Sequence, residues 1–321
     1  MNCKICLKSF RQNQQTEYHP ACLKKLFGTT TATAILPYEK SQFYTRAREA
    51  VSKARMSISG VQPKVQMTLR HKLIEIVDSG GEFILKPAPD EFPCAPENEH
   101  VSMLLAKTAG FEVPELGLVK FQGSGELVYI IQRFDRSEGN KIHHEDMMQV
   151  FGITANDIEN KYRSLSYLDV LLKLSEIGGL GLANDCFKRI MFSYLIGNND
   201  FHLKNISIFH QPHFKLTPFY DVLNTTLYAE YQPTMAMRLI EDDTALPYFG
   251  KMGNGFYSKA DFILLATQAG IPENAVKKSL TTILKYKDEY LHLIQSSFLP
   301  QKQKDAYIKL IKQRIELLST S

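Results

Sequence analysis

The densest polar cluster in this sequence is Gly197-Asn198-Asn199-Asp200-Phe201-His202-Leu203-Lys204-Asn205. Within it Asp200 and Asn205 stand five positions apart. That is the interval at which a phosphotransfer loop sets a proton-accepting carboxylate ahead of a metal-binding amide. A second carboxylate, Asp221, closes the run Leu216-Thr217-Pro218-Phe219-Tyr220-Asp221. An amide oxygen and a carboxylate are hard ligands of the kind that hold magnesium together with phosphate oxygens. The chemistry on offer is transfer of a phosphoryl group to a hydroxyl. The same spacing also arises by chance, and Asp200 could equally cap a turn.

An upstream complement in consistent order favours the chemical reading. Lys86 ends an apolar run, a position from which a lysine reaches nucleotide phosphates, and Glu99 opens the next helical pattern where it could pair with that lysine. Gln132-Arg133-Phe134 lies at a strand exit, where backbone could meet a base edge. Ser57-Ile58-Ser59-Gly60-Val61-Gln62-Pro63-Lys64 is neither G-x-G-x-x-G nor a Walker A sequence. Even so, Gly60 permits close backbone approach and Lys64 adds a point charge for phosphate. Each of these residues has a bland alternative as a solvated lysine, a helix-cap glutamate or a strand-end polar residue.

A separate constellation opens the chain: Cys3-x2-Cys6 and His19-x2-Cys22. Thiolate and imidazole pairs of this kind suit tetrahedral zinc in a structural role, since four protein ligands leave no open position. Three unrelated thiols on a small hook remain the alternative.

These groups must be positioned by a chain of 321 residues, 44% hydrophobic and 22% charged, with 38 Lys+Arg against 34 Asp+Glu. Such a length suggests about two lobes. The small positive excess does not announce a nucleic-acid binder. Five cysteines, an N-terminus without an apolar leader and no run of about 18 apolar residues predict a soluble cytoplasmic protein. From Val65 to Lys86, alternating apolar residues and the Ser79-Gly80-Gly81 turn predict antiparallel strands. A helix over Glu97–Ala109 and strands near Leu116–Phe121 and Leu127–Gln132 follow. Beyond residue 140 the pattern is mostly helical: Ser166–Ile177, Asp185–Ile196, Asp261–Ala269, Asn274–Gln295 and Lys302–Leu318. A short strand pair, Ile206–Phe209 and His213–Leu216, interrupts them. The fold class expected is α+β, sheet-rich first and helical second.

Six blocks carry a family resemblance. Ser57 to Lys64, Phe83-Ile84-Leu85-Lys86-Pro87, Glu97-Asn98-Glu99-His100, Gln132-Arg133-Phe134-Asp135-Arg136, Gly197 to Asn205 and Leu216 to Asp221 together resemble the HipA-type serine/threonine kinases, toxins of bacterial toxin–antitoxin modules. In its short N-terminal portion the chain looks like the HipT branch, whose companion subdomain is a separate HipS protein beside HipB. The resemblance implies a bilobal, kinase-like fold. Its expected parts are an N-terminal Cys/His segment (1–30), an N-lobe with the nucleotide loop and antiparallel sheet (31–135) and a helical C-lobe (136–321).

It further implies ATP and magnesium as cofactors and a protein serine as acceptor, with an aminoacyl-tRNA synthetase as target. Asp200 would be the base and Asn205 and Asp221 the magnesium ligands. Lys86 would bind phosphates, Ser59, Gly60, Val61, Gln62, Pro63 and Lys64 would form the nucleotide loop, and Gln132, Arg133 and Phe134 the adenine hinge. His202, Leu203, Lys204 and Tyr220 would line the nucleotide site, and Ser57 and Ser59 would be autophosphorylated. A phosphate there adds roughly −1.5 to −2 charge and would oppose ATP binding. HipS-like and HipB-like partners are implied, with DNA contacted only through the latter and no membrane. The chain departs from the family at Gln132, where HipA has an acidic residue, and the Cys/His tetrad lies outside the HipA kinase core. Competing readings are a small-molecule kinase of the same fold and a non-catalytic adaptor or repressor built on the metal hook.

Overall fold

The structure, a computed structural model, describes residues 2–10, 16–53 (backbone only for 47–53), 64–137, 140–154, 160–228 and 233–319. The expected nucleotide-loop residues Ser57, Ser59, Gly60, Val61, Gln62 and Pro63 lie outside them. Two compact units emerge: residues 1–104, 113–142 and 292–300 form one, and 105–112, 143–291 and 301–321 the other.

The first unit is built on a six-stranded sheet. In chain order its elements are α1 (Pro20–Phe27), β1 (Ile35–Leu36), α2 (Lys40–Lys53), β2 (Val65–Arg70), β3 (Leu73–Ile76), β4 (Phe83–Lys86), α3 (Ala95–Thr108), β5 (Leu116–Phe121), β6 (Leu127–Gln132), β7 (Arg136–Ser137) and β8 (Asn140–Lys141). The spatial order is β1-β5-β6-β4-β2-β3, antiparallel throughout except for β1 beside β5. Alternation decides which side chains enter the core: Val65 and Met67 on β2 and Phe83 and Leu85 on β4 are buried with Val128 and Ile130 on β6. The same core takes in Cys3, Ile5, Leu26 and Phe27 from the N-terminal segment. Elements α1, α2 and β1 have no counterpart in the sequence-based expectation. The strands β2 to β6 fall where the sequence predicts strands, β2 to β4 from alternating apolar residues and the Ser79-Gly80-Gly81 turn, β5 and β6 as apolar runs.

The second unit carries the long helix α6 (Tyr167–Ile196) after β9 (His144–Asp146), α4 (Met147–Val150) and α5 (Asn160–Arg163). Beyond it come β10 (Ser207–Phe209), β11 (Lys215–Leu216), α7 (Phe249–Met252), α8 (Lys259–Gln268), α9 (Glu273–Leu284), α10 (Lys287–Ser296, which from residue 292 belongs to the first unit) and α11 (Gln301–Ser319). Strands β11, β10 and β9 make a small antiparallel sheet. The two helices expected over 166–196 meet instead at a single kink, Gly179 (φ 80, ψ 171), with residues 180–184 already helical. The one helix expected over 274–295 is two, α9 and α10, and the Tyr290 hydroxyl of α10 donates to the last-turn carbonyl of Ile283 (2.8 Å).

Candidate functional site

Each unit presents one half of the expected chemistry. In the first, β4 delivers Lys86 at its end and α3 delivers Glu99, and their charged atoms meet at 2.5 Å. Both side chains are buried, and the Lys86 ammonium also lies 5.6 Å from the centre of the Tyr129 ring across the β4–β6 ladder. An ion pair taken out of water in this way is fixed in geometry, because neither partner can be solvated alone.

The strand end at 132–134 is partly committed. The Gln132 amide donates to Glu115 (2.8 Å) and the Arg133 amide to Glu82 (2.8 Å), so a base edge there would meet carbonyls or later residues. The Arg133 guanidinium grips Asp135 with two parallel hydrogen bonds of 2.8 and 2.7 Å. Lys64 is exposed at the entry to β2.

In the second unit the loop after α6 is held by many partners. Gly197 closes the helix in the left-handed region (φ 76), where a Cβ would stand 2.9 Å from the Asn224 carboxamide oxygen. Its carbonyl accepts from the Thr225 amide (3.0 Å) and hydroxyl (3.1 Å), and that hydroxyl in turn accepts from the Asn199 amide (2.9 Å). The buried Tyr167 hydroxyl donates to the carbonyl of Phe201 (2.7 Å). Phe201 itself packs on Phe219, with ring centres 5.3 Å apart.

Asp200 stands on this platform with 41% of its side chain exposed. Its Oδ1 accepts from the Tyr162 hydroxyl (2.7 Å) and lies 3.4 Å from His202 Nε2. Burial and the neighbouring carboxylate keep the Tyr162 phenol protonated, well above its ordinary range. Burial lowers His202 to about 4, so the imidazole beside Asp200 is neutral. Both polar neighbours address Oδ1.

Asn205 Nδ2 donates to the Asp200 carbonyl (2.7 Å), which commits the amide nitrogen and leaves Oδ1 as the atom that could ligate a metal. Asp221 has a left-handed backbone (φ 53), a conformation that asparagine and aspartate tolerate better than most residues. The preceding Tyr220 ties that segment to the loop through Ser207 Oγ (2.7 Å) and the Lys204 carbonyl (3.1 Å). Buried Arg189, brought down to about 10 by desolvation, donates to the Thr217 carbonyl (2.7 Å) and supports it from below. Asn205 and Asp221 supply only oxygen donors, which fits magnesium and not a softer metal. Leu203 is buried in the loop, and Lys204 is half-buried.

The N-terminal tetrad also comes together: ligand atoms of Cys3, Cys6, His19 and Cys22 all lie within 4.8 Å of one another. Sequence reasoning missed three groups. Tyr162 is 38 positions from Asp200, and only folding joins them. His100 is fully buried in α3, where burial lowers it to about 4, and it shares a 3.0 Å hydrogen bond with the carbonyl of Ile5. His143, Glu145 and His210 form a more exposed cluster with ligand atoms within 4.8 Å, drawn from β9, the residue before it and the residue after β10.

Among the described residues no helix is long and apolar enough to cross a membrane. Residues 56–289 match the HipA-like C-terminal domain family. The sequence is 31% identical to a putative kinase of Haemophilus influenzae over 99% of this chain and 97% of that protein. It is 25% identical to the serine/threonine-protein kinase toxin HipA of Shewanella oneidensis over 72% of this chain and 55% of the toxin. A solved Shewanella complex of HipA, HipB and operator DNA contains a chain that superposes with a TM-score of 0.65 at 22% identity, covering 85% of this chain and 70% of that one. That likeness establishes the α+β, kinase-like fold that the sequence predicts. The named relatives support a kinase-type function.

Proposed function

The chain belongs to the HipA-like family, and from that premise we propose that it is an ATP-dependent protein-serine/threonine kinase, the toxin of a bacterial toxin–antitoxin module. The observation that carries the reading is the Asp200–Asn205 arrangement. One carboxylate oxygen is occupied by Tyr162 and faced by His202, and the Asn205 amide is turned by the Asp200 carbonyl so that its oxygen is the ligand atom.

In this reading Oδ2 of Asp200 orients the acceptor hydroxyl and takes its proton. The serine oxygen then bonds to the γ-phosphorus as the bond to the ADP leaving oxygen breaks. Tyr162 and the neutral His202 fix the carboxylate without adding a positive charge that would weaken it as a base. Lys86, held by Glu99, sets a cation against the phosphates. Asn205 and Asp221 would hold magnesium, which would supply further neutralisation of phosphate charge. Catalysis is therefore positioning plus electrostatics.

We assign the remaining roles on the same basis. The 59–64 segment covers the phosphates, and residues 132–134 form the adenine hinge, with Gln132 and Arg133 contributing carbonyls. His202, Leu203, Lys204 and Tyr220 line the nucleotide site. Ser57 and Ser59 receive autophosphorylation that lowers activity by placing negative charge beside ATP. Residues 1–30, 31–135 and 136–321 serve as N-terminal segment, nucleotide lobe and catalytic lobe. The target is an aminoacyl-tRNA synthetase in the cytoplasm, and restraint comes from HipS-like and HipB-like partners of the HipT type, DNA being reached through the latter.

Intact-protein mass spectrometry before and after Mg-ATP, with Asp200→Asn alongside, tests the kinase. Phosphate on Ser57 or Ser59 of the parent chain and none on the variant is expected. Labelled ATP in a bacterial lysate separates acceptor classes: label on protein supports the reading, and label confined to small molecules overturns it in favour of a small-molecule kinase.

A further inference from the structure

We propose that Cys3, Cys6, His19 and Cys22 form a structural zinc site, closed by three thiolates and one imidazole nitrogen, that docks the N-terminal segment on β5 and α3. The proposal is independent of phosphoryl transfer, since none of these residues belongs to the phosphate-handling groups.

The donor geometry is that of a tetrahedral ion. Zinc–sulfur bonds of about 2.3 Å and zinc–nitrogen bonds of about 2.05 Å at tetrahedral angles put sulfur and nitrogen about 3.6 Å apart. His19 Nδ1 lies 3.4 Å from Cys6 Sγ and 4.0 Å from Cys22 Sγ, either side of that edge length. No atom of the set strays beyond 4.8 Å from another, and none of the thiols is in a disulfide.

The backbone is shaped for the same purpose. Asn2 and Ser9 bridge antiparallel, the Cys3 amide donates to the Lys8 carbonyl (3.0 Å) and the Leu7 amide to the Cys3 carbonyl (2.9 Å), which folds Cys3 and Cys6 onto one side. Leu7 turns the chain in the left-handed region (φ 60) immediately after Cys6. The other pair sits at the start of α1, where His19 is the residue before the helix and Cys22 lies in its first turn. The His19 amide points at Cys3 Sγ (3.4 Å), the second-sphere hydrogen bond that a metal thiolate draws from backbone. Phe10 packs against the His19 ring at 4.6 Å and fixes its plane.

What the site would hold is evident from the two residues between the first cysteines. The Lys4 carbonyl accepts from the Leu118 amide on β5 (2.9 Å), and the Ile5 carbonyl pairs with buried His100 on α3 (3.0 Å). Ile5 packs so closely over Gly117 that a Cβ there would lie 2.8 Å from its Cγ1. His100 is the neighbour of Glu99, the partner of Lys86. The metal knuckle thus braces the helix that positions the buried ion pair.

The test is zinc content of the purified full-length chain, with cobalt substitution as the spectroscopic readout. About one zinc per chain is expected, together with the cobalt absorption of a tetrahedral site of three sulfurs and one nitrogen. Cys22→Ser should lose most of the metal. To separate loss of metal from loss of fold, His19→Cys gives the second reading: it should keep about one metal and shift the cobalt spectrum to that of four thiolates. His210→Ala, in the other cluster, should leave the stoichiometry unchanged. A parent chain that takes up no zinc on titration overturns the proposal. So does zinc that survives Cys22→Ser and disappears with His210→Ala.

Discussion

Lys86 and Asp200 are the two charged residues on which the proposed chemistry turns, and the molecule treats them in opposite ways. Lys86 is 4% exposed, placed by a central strand and sealed against Glu99 on a helix. Asp200 stands on a loop with 41% of its side chain open, and its backbone is fixed by partners from Tyr167, Asn198 and Asn205. A group that supplies a steady electrostatic field gains from burial on rigid elements, where its partner cannot drift. A group that must exchange a proton with an outside hydroxyl has to remain accessible, so rigidity is placed in the loop backbone.

That contrast can be broken most severely at the carboxylate. Asp200→Asn should lower phosphoryl transfer by about 10³-fold or more while leaving the urea midpoint unchanged, because the side chain is 41% exposed and the amide oxygen of asparagine can still accept from Tyr162; activity within roughly tenfold of the parent would remove Asp200 from its role. Lys86→Ala should do the reverse in stability. It strands a buried glutamate and should cost about 3–5 kcal/mol in denaturant unfolding, whereas Lys86→Met combined with Glu99→Leu should regain most of that without regaining ATP binding.

Each unit also buries a neutral histidine, His100 in the first and His202 in the second, both lowered to about 4 by desolvation. The unfolded chain binds these protons near pH 6.5 and the folded chain does not, so stability is fully present above that value and lost as pH falls towards 4. Between pH 7 and pH 5 each should contribute about 2 kcal/mol of loss, and replacing either with glutamine should remove its share of the slope. The mildest change is Tyr162→Phe. It deletes one hydrogen bond to Asp200 and should slow transfer up to about tenfold with little effect on folding, read as kcat against pH.

The sequence discloses whatever is local. Strands β2 to β4 follow from alternation and a glycine turn, β5 and β6 from short apolar runs, the Asp200–Asn205 interval from six adjacent positions, and the tetrad from two short pairs. What stays hidden depends on distant partners or lacks an apolar period. Strand β9 is His144-Glu145-Asp146, wholly polar, and exists because β10 pairs with it. Helix α2, Lys40–Lys53, has too few apolar positions to stand out. The break between α9 and α10 contains neither glycine nor proline, and Tyr162 becomes a partner of Asp200 only once the chain has folded.

The contacts of the first few residues carry a consequence for synthesis. Asn2 donates its side-chain amide to the carbonyl of Ser296 (2.8 Å), and Lys4 waits for Leu118. At about 5–20 residues per second, a separation of 294 positions means that roughly 15 to 60 s pass between the emergence of Asn2 and that of its partner. The segment around Asn2 therefore stays without this partner until residue 296 has been made.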